Sequence, residues 1–149
     1  MAKRRKNGWI QGHYTPMNPE KYVGKKPIVY RSSWELQMCR VADKHPNILY
    51  WSSESVRIPY YNPVAQKHSV YIPDFFLVYE DKDGNRHAEV VEIKPKKEMI
   101  LENARSLRDK TAIAVNMAKW KAAEAYCKRK GVKFRVVNED GIFGKGSRR

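Results

Sequence analysis

The chain changes its hydrophobic period several times, and each change marks an element. In "YRSSWELQMCRVADKHP", Trp34, Met38 and Val41 recur at helical spacing. Ser32 or Ser33 offers a cap and Pro46 a stop, so a helix is expected over about residues 32–44. Three β segments follow: "SVRIPYY" (55–61), "HSVYIPDFFLVYE" (68–80) and "RHAEVVEIKP" (86–95). The second is apolar on both faces, which suits a central strand. It is joined to the third by "DKDGN", whose Asp-Gly pair signals a hairpin. Pro73 cannot donate to a ladder, so a bulge or local break is expected there.

Beyond Pro95 the pattern turns helical. "KEMILENARSLRDK" reads as a short helix or an ordered connection. "TAIAVNMAKWKAAEAYCKRKG" predicts a long helix with Ile113, Met117, Trp120, Ala123 and Cys127 on its buried face. Thr111 would cap its start and Gly131 its end, while Lys128, Arg129 and Lys130 suit its C-terminal dipole. "VKFRVV" (132–137) is a last strand. The resulting order is α-β-β-β-α-β, an α/β fold with helices flanking a small mixed sheet. Glycines and prolines scattered through residues 1–29 predict an irregular segment. The expected division is a basic N-terminal arm (1–30), a core domain (31–138) and a basic flexible tail (139–149).

Composition narrows the partner. The chain has 149 residues, enough for one domain with a modest core, and a net charge of +14. That charge attracts polyanions, with nucleic acid first among them. Lys3, Arg4, Arg5 and Lys6 cluster near one end and Lys145, Arg148 and Arg149 near the other, as in arms that track a phosphate backbone. No apolar run is long enough to span a bilayer, and no secretory apolar segment follows the basic start. An anionic membrane surface is the competing partner, ranked lower because no long helix sets basic residues on one face against bulky apolar residues on the other. Cys39 and Cys127 make neither a disulfide framework nor a zinc spacing, and the four histidines are never paired. A soluble protein of a reducing compartment is expected.

Three residues carry the chemistry. Glu92 and Lys94 are two apart on a strand and share a face with Ala88 and Val90. Asp74 lies on the paired neighbour, and a suitable register would set its carboxylate beside Glu92. Two carboxylates in apolar surroundings repel each other and lose hydration, which calls for a cation. Carboxylate oxygens suit Mg²⁺. A lysine next to such a site can orient or deprotonate a water, and a phosphodiester is the matching electrophile.

Pro73-Asp74 followed by Glu92-Ile93-Lys94 resembles the signature of the PD-(D/E)XK nucleases, and the inferred element order is similar to their restriction-endonuclease-like core. The likeness covers most of residues 31–137. Many members add a helical glutamate, and Glu35 in "SSWEL" stands at the matching place. The Gly/Pro-rich basic arm with "NPEKY", then "YRSSWEL" and "YWSSE", resembles T-even-type tailed-phage head-completion nucleases. TnsA-type transposon endonucleases are similar more distantly. The resemblance implies a metal-dependent endodeoxyribonuclease, with Mg²⁺ or its substitute Mn²⁺ held by Asp74, Glu92, the Ile93 carbonyl and Glu35, and with Lys94 acting on the nucleophile. It further implies DNA as substrate, phage head, neck or portal proteins as partners, and a place in the virion and host cytoplasm.

Glu35 has a second reading, because Ser32-x-x-Glu35 is a capping box. Arg31, Lys96, Lys97, Lys119 and Lys121 are candidate DNA contacts, although the last two also fit the solvated face of a helix. Two rival functions share the same residues. One is a non-enzymatic DNA-binding virion protein that retains the fold. The other is the cutting subunit of a transposon or junction-resolving system.

Overall fold

The computed structural model describes residues 3–4, 10–25, 27–94 and 106–138. Among these residues eleven strands and α-helices follow in chain order, with a 3-10 turn at Pro19–Lys21 after the second strand. The first five are β1 (Lys3–Arg4), β2 (Ile10–Tyr14), β3 (Ile28–Tyr30), α1 (Ser33–Lys44) and β4 (Ile48–Ser53). Then come β5 (Ile58–Asn62), β6 (Lys67–Tyr71), β7 (Phe75–Glu80), β8 (Arg86–Ile93), α2 (Leu107–Arg129) and β9 (Lys133–Val137).

Helix α1 begins where the sequence predicts. The Ser32 hydroxyl accepts the Glu35 N–H at 3.2 Å, and Met38, Cys39, Ala42 and Asp43 are buried. The Asp-Gly hairpin also forms, joining β7 to β8. Gly84 takes a φ of +83°, and the Asp81 carboxylate accepts the Asp83 and Asn85 N–H groups. Pro73 interrupts the second predicted strand as expected, and splits it into β6 and β7.

That split changes the sheet. The four-stranded sheet runs β4-β7-β8-β9, antiparallel except for the parallel β8–β9 pair. Its outer strand β4 comes from "ILYWSS", which the sequence reading left unassigned. The predicted strand at 55–61 is β5, and it pairs instead with β6 as a separate hairpin. Around the four-stranded sheet the order is α1-β4-β7-β8-α2-β9. The α-β-β-β-α-β sequence thus appears, but with β4 in the place assigned to 55–61.

The segment expected to be irregular over residues 1–29 is largely regular where described. Strands β1, β2 and β3 form a three-stranded sheet, and Gly12, His13 and Tyr14 pair with Tyr30, Val29 and Ile28. The physical reason is aromatic packing. Trp51 of β4 is fully buried, with the Tyr22 ring 4.7 Å away and the Tyr14 ring 6.2 Å away. An indole buries on the order of 200 Å², about 5 kcal/mol of apolar transfer. Its N–H has no acceptor among the described residues, a cost of roughly 1–3 kcal/mol. Packing wins, and it carries the N-terminal segment into the core.

Asp43 anchors the same segment. It is fully buried, and its carboxylate accepts the Tyr14 hydroxyl (2.6 Å) and the Met17 and Asn18 N–H groups (2.7 and 2.9 Å). Burial opposes its ionisation, but these donors and the Lys21 ammonium outweigh burial and hold the carboxyl below its usual range. The Lys21 ammonium also donates to the Asp43 carbonyl at 2.9 Å. "NPEKY" is therefore a clasp on α1.

Helix α2 starts one turn before the predicted Thr111. Ser106 is its cap, accepting the Asp109 N–H at 3.1 Å, and Thr111 donates to the Arg108 carbonyl. Gly131 ends it with a φ of +71°. Met117, expected on the buried face, is 58% exposed. The inward stripe is Val115, Ala118, Ala122 and Tyr126 with Trp120 and Ala123, and it packs on Ile58, Tyr60 and Tyr71 of the β5–β6 hairpin. The expected short helix at 97–110 lies outside the described residues up to residue 105, as does the tail 139–149.

Candidate active site

The hairpin register decides whether the two carboxylates meet. Phe75 pairs with Val91, so one further step sets Asp74 opposite Glu92. The contact is direct on the backbone side. The Asp74 carboxylate accepts the Ile93 N–H at 2.8 Å, and the Asp74 carbonyl accepts the Glu54 N–H at 3.0 Å. Pro73, fully buried just before it, ends the β6 ladder and frees this residue to turn its carboxylate onto the neighbouring strand.

Glu92 is held from the other side. Tyr71, the last residue of β6, donates its hydroxyl to Glu92 Oε1 at 2.8 Å. Trp120 of α2 packs against the cluster that contains Tyr71. The Tyr71 ring meets Phe134 edge-on at 6.4 Å, and the Lys119 ammonium stands 5.7 Å from its centre. Burial, the Glu92 charge and the hydrogen bond to it push the Tyr71 phenol far above its usual value, so it acts as a fixed donor.

The three carboxylates all have raised proton affinity. Burial, then the charges of Glu92 and Glu35, push Asp74 well above the ordinary carboxylate range, against the Ile93 N–H. Burial also raises Glu92, although Tyr71, Lys94 and Lys119 oppose it. Glu35 is raised by burial and by the charges of Glu54 and Glu92, while the Arg31 N–H opposes. The charge of Glu92 on β8 thus reaches both Asp74, just before β7, and Glu35 on α1. Among the described residues, no three His, Cys, Asp or Glu side chains form a ready metal-binding group.

Glu35 satisfies both of its readings in part. Its N–H is capped by Ser32, but its carboxylate accepts the N–H of Arg31 (3.0 Å), one residue before the cap. A reciprocal capping box would use the Ser32 N–H. The displaced acceptor leaves the carboxylate in the field of Glu92 and Glu54.

Lys94 follows β8, where its N–H donates to the Val137 carbonyl of β9 at 2.9 Å, and its ammonium supports the charge on Glu92. Lys119 supports Glu92 as well. Lys121 is exposed and lies about 200° further round the helix, on the opposite face. Arg31 is 53% exposed at its side chain and engages Glu54 through Nε (2.9 Å) and Nη2 (3.1 Å). The side chains of Lys3 and Arg4, and all of Arg5, Lys6, Lys96 and Lys97, lie outside the described residues.

Two residues at the site escaped the sequence reading. Tyr71 reads there as an interior strand residue. Glu54 has a left-handed φ of +51°, uncommon for a side-chain-bearing residue. Its backbone bonds Asp74, its carboxylate clamps Arg31, and its charge raises both Asp74 and Glu35. The only signal in sequence was its position in the polar run "SSES" directly after an apolar strand. A look-alike lies on the other face of β8. Glu89 is buried, but it is satisfied by the Tyr79 hydroxyl (2.6 Å) and Arg135 Nε (3.1 Å) and takes no part in this site.

Comparison with known proteins bears on the same region. A family model described as the TnsA-like endonuclease N terminal matches residues 45–139, which include Glu54, Tyr71, Asp74, Glu92 and Lys94. The head completion nuclease of Enterobacteria phage T4 is 35% identical over 146 residues, covering 91% of this chain and 95% of that relative. This chain belongs to the TnsA-like endonuclease N-terminal family.

Proposed function

We propose that the protein is a divalent-metal-dependent endonuclease of the PD-(D/E)XK type that hydrolyses DNA phosphodiesters during phage head completion. The observation that carries this reading is the pairing of Asp74 with Glu92, two partly desolvated carboxylates with raised proton affinity and a lysine beside them. The name of the T4 relative and the length of its match, which extends over the N-terminal segment, support the head-completion role over a transposon role. The element order around the four-stranded sheet supports the fold type.

The residues fit Mg²⁺, with Mn²⁺ as a substitute. Mg²⁺ keeps much of its water and is commonly held by only one or two carboxylates, so a ready three-ligand group is not required. Asp74 and Glu92 would hold it, with the Ile93 carbonyl, and with Glu35 directly or through water. A bound cation would offset the repulsion that raises Asp74. When bound, it supplies Lewis-acid polarisation and a more acidic water. Tyr71 fixes the orientation of Glu92. Lys94, whose ammonium acts on Glu92, would orient the attacking water or take its proton. Lys119, whose charge acts on Glu92, would offer positive charge to a phosphate, while Arg31 is held by Glu54.

The test is incubation of purified protein with supercoiled and linear DNA, with Mg²⁺ and with chelator. Cleavage is expected only with metal. Asp74→Asn and Glu92→Gln should abolish it while leaving the apo protein folded and at least as heat-stable. Cleavage by Asp74→Asn at the wild-type rate would remove the assignment. Binding without any cleavage would leave a non-enzymatic DNA-binding virion protein.

A further inference from the structure

The hairpin that delivers Tyr71 to Glu92 has a second face. Along β5 and β6 the burial alternates cleanly. Ile58, Tyr60 and Tyr71 turn inward against α2, while Pro59, Tyr61, His68 and Val70 turn outward. The outward residues are cross-strand partners, Pro59 with Val70 and Tyr61 with His68, and the last pair meets edge-on at 5.2 Å. Tyr61 is 50% exposed and Val70 45%, and Val64 at the tip is 50% exposed. Single exposed apolar residues are ordinary, but a contiguous patch on a ribbon points to a partner.

The charge around the patch indicates which partner. From residue 55 to residue 73 the chain has no Asp or Glu, and it carries Arg57 and Lys67. Arg57, Lys67 and His68 are all exposed. The tip is stiff. Asn62 Oδ1 accepts the Val64 and Ala65 N–H groups, the Gln66 N–H donates to the Asn62 carbonyl, and Gln66 takes a φ of +56°. Position completes the picture. Val70 is four residues from Asp74 and His68 six, so at full extension they lie at most about 14 and 22 Å away. One turn of duplex spans about 34 Å.

We propose that the β5–β6 hairpin is a DNA-contacting arm. Its outer face of Tyr61, His68 and Val70 lies against the bases and sugars flanking the scissile phosphate, and Arg57 and Lys67 touch the backbone. This rests on the endonuclease reading above and adds the substrate surface of that same site. A two-stranded ribbon is of a size the major groove admits. Its apolar side chains can pack on sugars and thymine methyl groups while its cations meet phosphates, so the arm adds affinity without strong sequence preference. Because β6 runs straight into Pro73 and Asp74, DNA on the arm is held in fixed relation to the carboxylates.

The experiment uses the full chain carrying Tyr61→Ser with Val70→Ser, both exposed positions, and separately Arg57→Gln with Lys67→Gln. Binding to a 40-base-pair duplex is measured in chelator across a salt series, and steady-state cleavage of the same duplex in Mg²⁺. The first variant should weaken binding and raise KM about 10-fold, the loss of about 1.4 kcal/mol of contact energy, with kcat within about twofold and an unchanged Tm. The second should lower the slope of log K against log salt by up to about 0.9 per lost contact. Wild-type Kd, KM and salt slope in both variants would overturn the arm while leaving the nuclease intact. Loss of self-association in sedimentation, with DNA binding unchanged, would also overturn it and assign the face to a second copy of the chain. A wild-type protein that neither binds nor cuts the duplex would overturn both this inference and the function it rests on.

Discussion

Tyr71→Phe removes a single hydroxyl and leaves the ring against Phe134 and below Lys119. The lost interaction is the 2.8 Å bond to Glu92 Oε1. A hydrogen bond to a charged, largely buried acceptor contributes roughly 1.5–3 kcal/mol. A loss of about 2 kcal/mol in a chain of this size lowers Tm by about 4–8 °C. The pH dependence carries a sign. Glu92 already holds its proton to higher pH than a free glutamate, because burial outweighs Tyr71, Lys94 and Lys119. Its ionisation therefore costs stability above its unfolded pKa of about 4.3. Tyr71 reduces that cost, so the variant's deficit should be large near pH 7 and shrink below about pH 4. Under the proposed mechanism the acid limb of cleavage should also move to higher pH, since protons compete with the cation for Glu92. The assays are thermal melts from pH 3 to 8 and rate–pH profiles at fixed Mg²⁺. A deficit independent of pH, together with a wild-type acid limb, would refute the claim that this hydroxyl serves the charge on Glu92.

Glu35→Gln keeps an oxygen for the Arg31 N–H and removes the charge. Stability should change by no more than about 1 kcal/mol, whereas cleavage at low Mg²⁺ should fall and recover in part with added metal. A wild-type Mg²⁺ titration would return Glu35 to the cap alone. Asp43→Ala strands the Tyr14 hydroxyl and two backbone donors at a fully buried position. The expected loss is about 4 kcal/mol, or about 8–16 °C in Tm, and a shift under 2 °C would show that water replaces the carboxylate.

Local signals were the legible ones. The Ser32 cap, the Asp-Gly turn, the break at Pro73 and the Gly131 stop each depend on a few neighbouring residues. Asp74, Glu92 and Lys94 could be singled out because a strand's two-residue period and a tight hairpin nearly fix their relation. What could not be read was set by distant partners. Strand β4 has neither a hairpin nor strict alternation to announce it, and its place comes from Trp51 packing on Tyr14 and Tyr22. The segment 55–61 looks like a sheet strand, yet it forms its own hairpin because Ile58 and Tyr60 bury against α2. Asp43 and Glu54 are ordinary acidic residues until donors from elsewhere converge on them. Met117 misled because the inward face of α2 is set by the hairpin it meets.

The parallel pairing of β8 with β9 has a consequence for the order in which the molecule is made. Lys94 is anchored by the Val137 carbonyl, and Glu92 lies opposite Val136. A chain leaving the ribosome therefore exposes every acidic residue of the site well before it has the strand that steadies the lysine. Under the proposed function, the nascent nuclease is harmless while it is being translated beside cellular DNA, and becomes competent only when the strand after α2 docks. Such a long-range parallel pairing is also slow to form. A chain stopped at Gly131 should then cut no DNA, and the chain extended through residue 138 should recover cleavage. Cleavage by the shortened chain would show that the lysine needs no such brace.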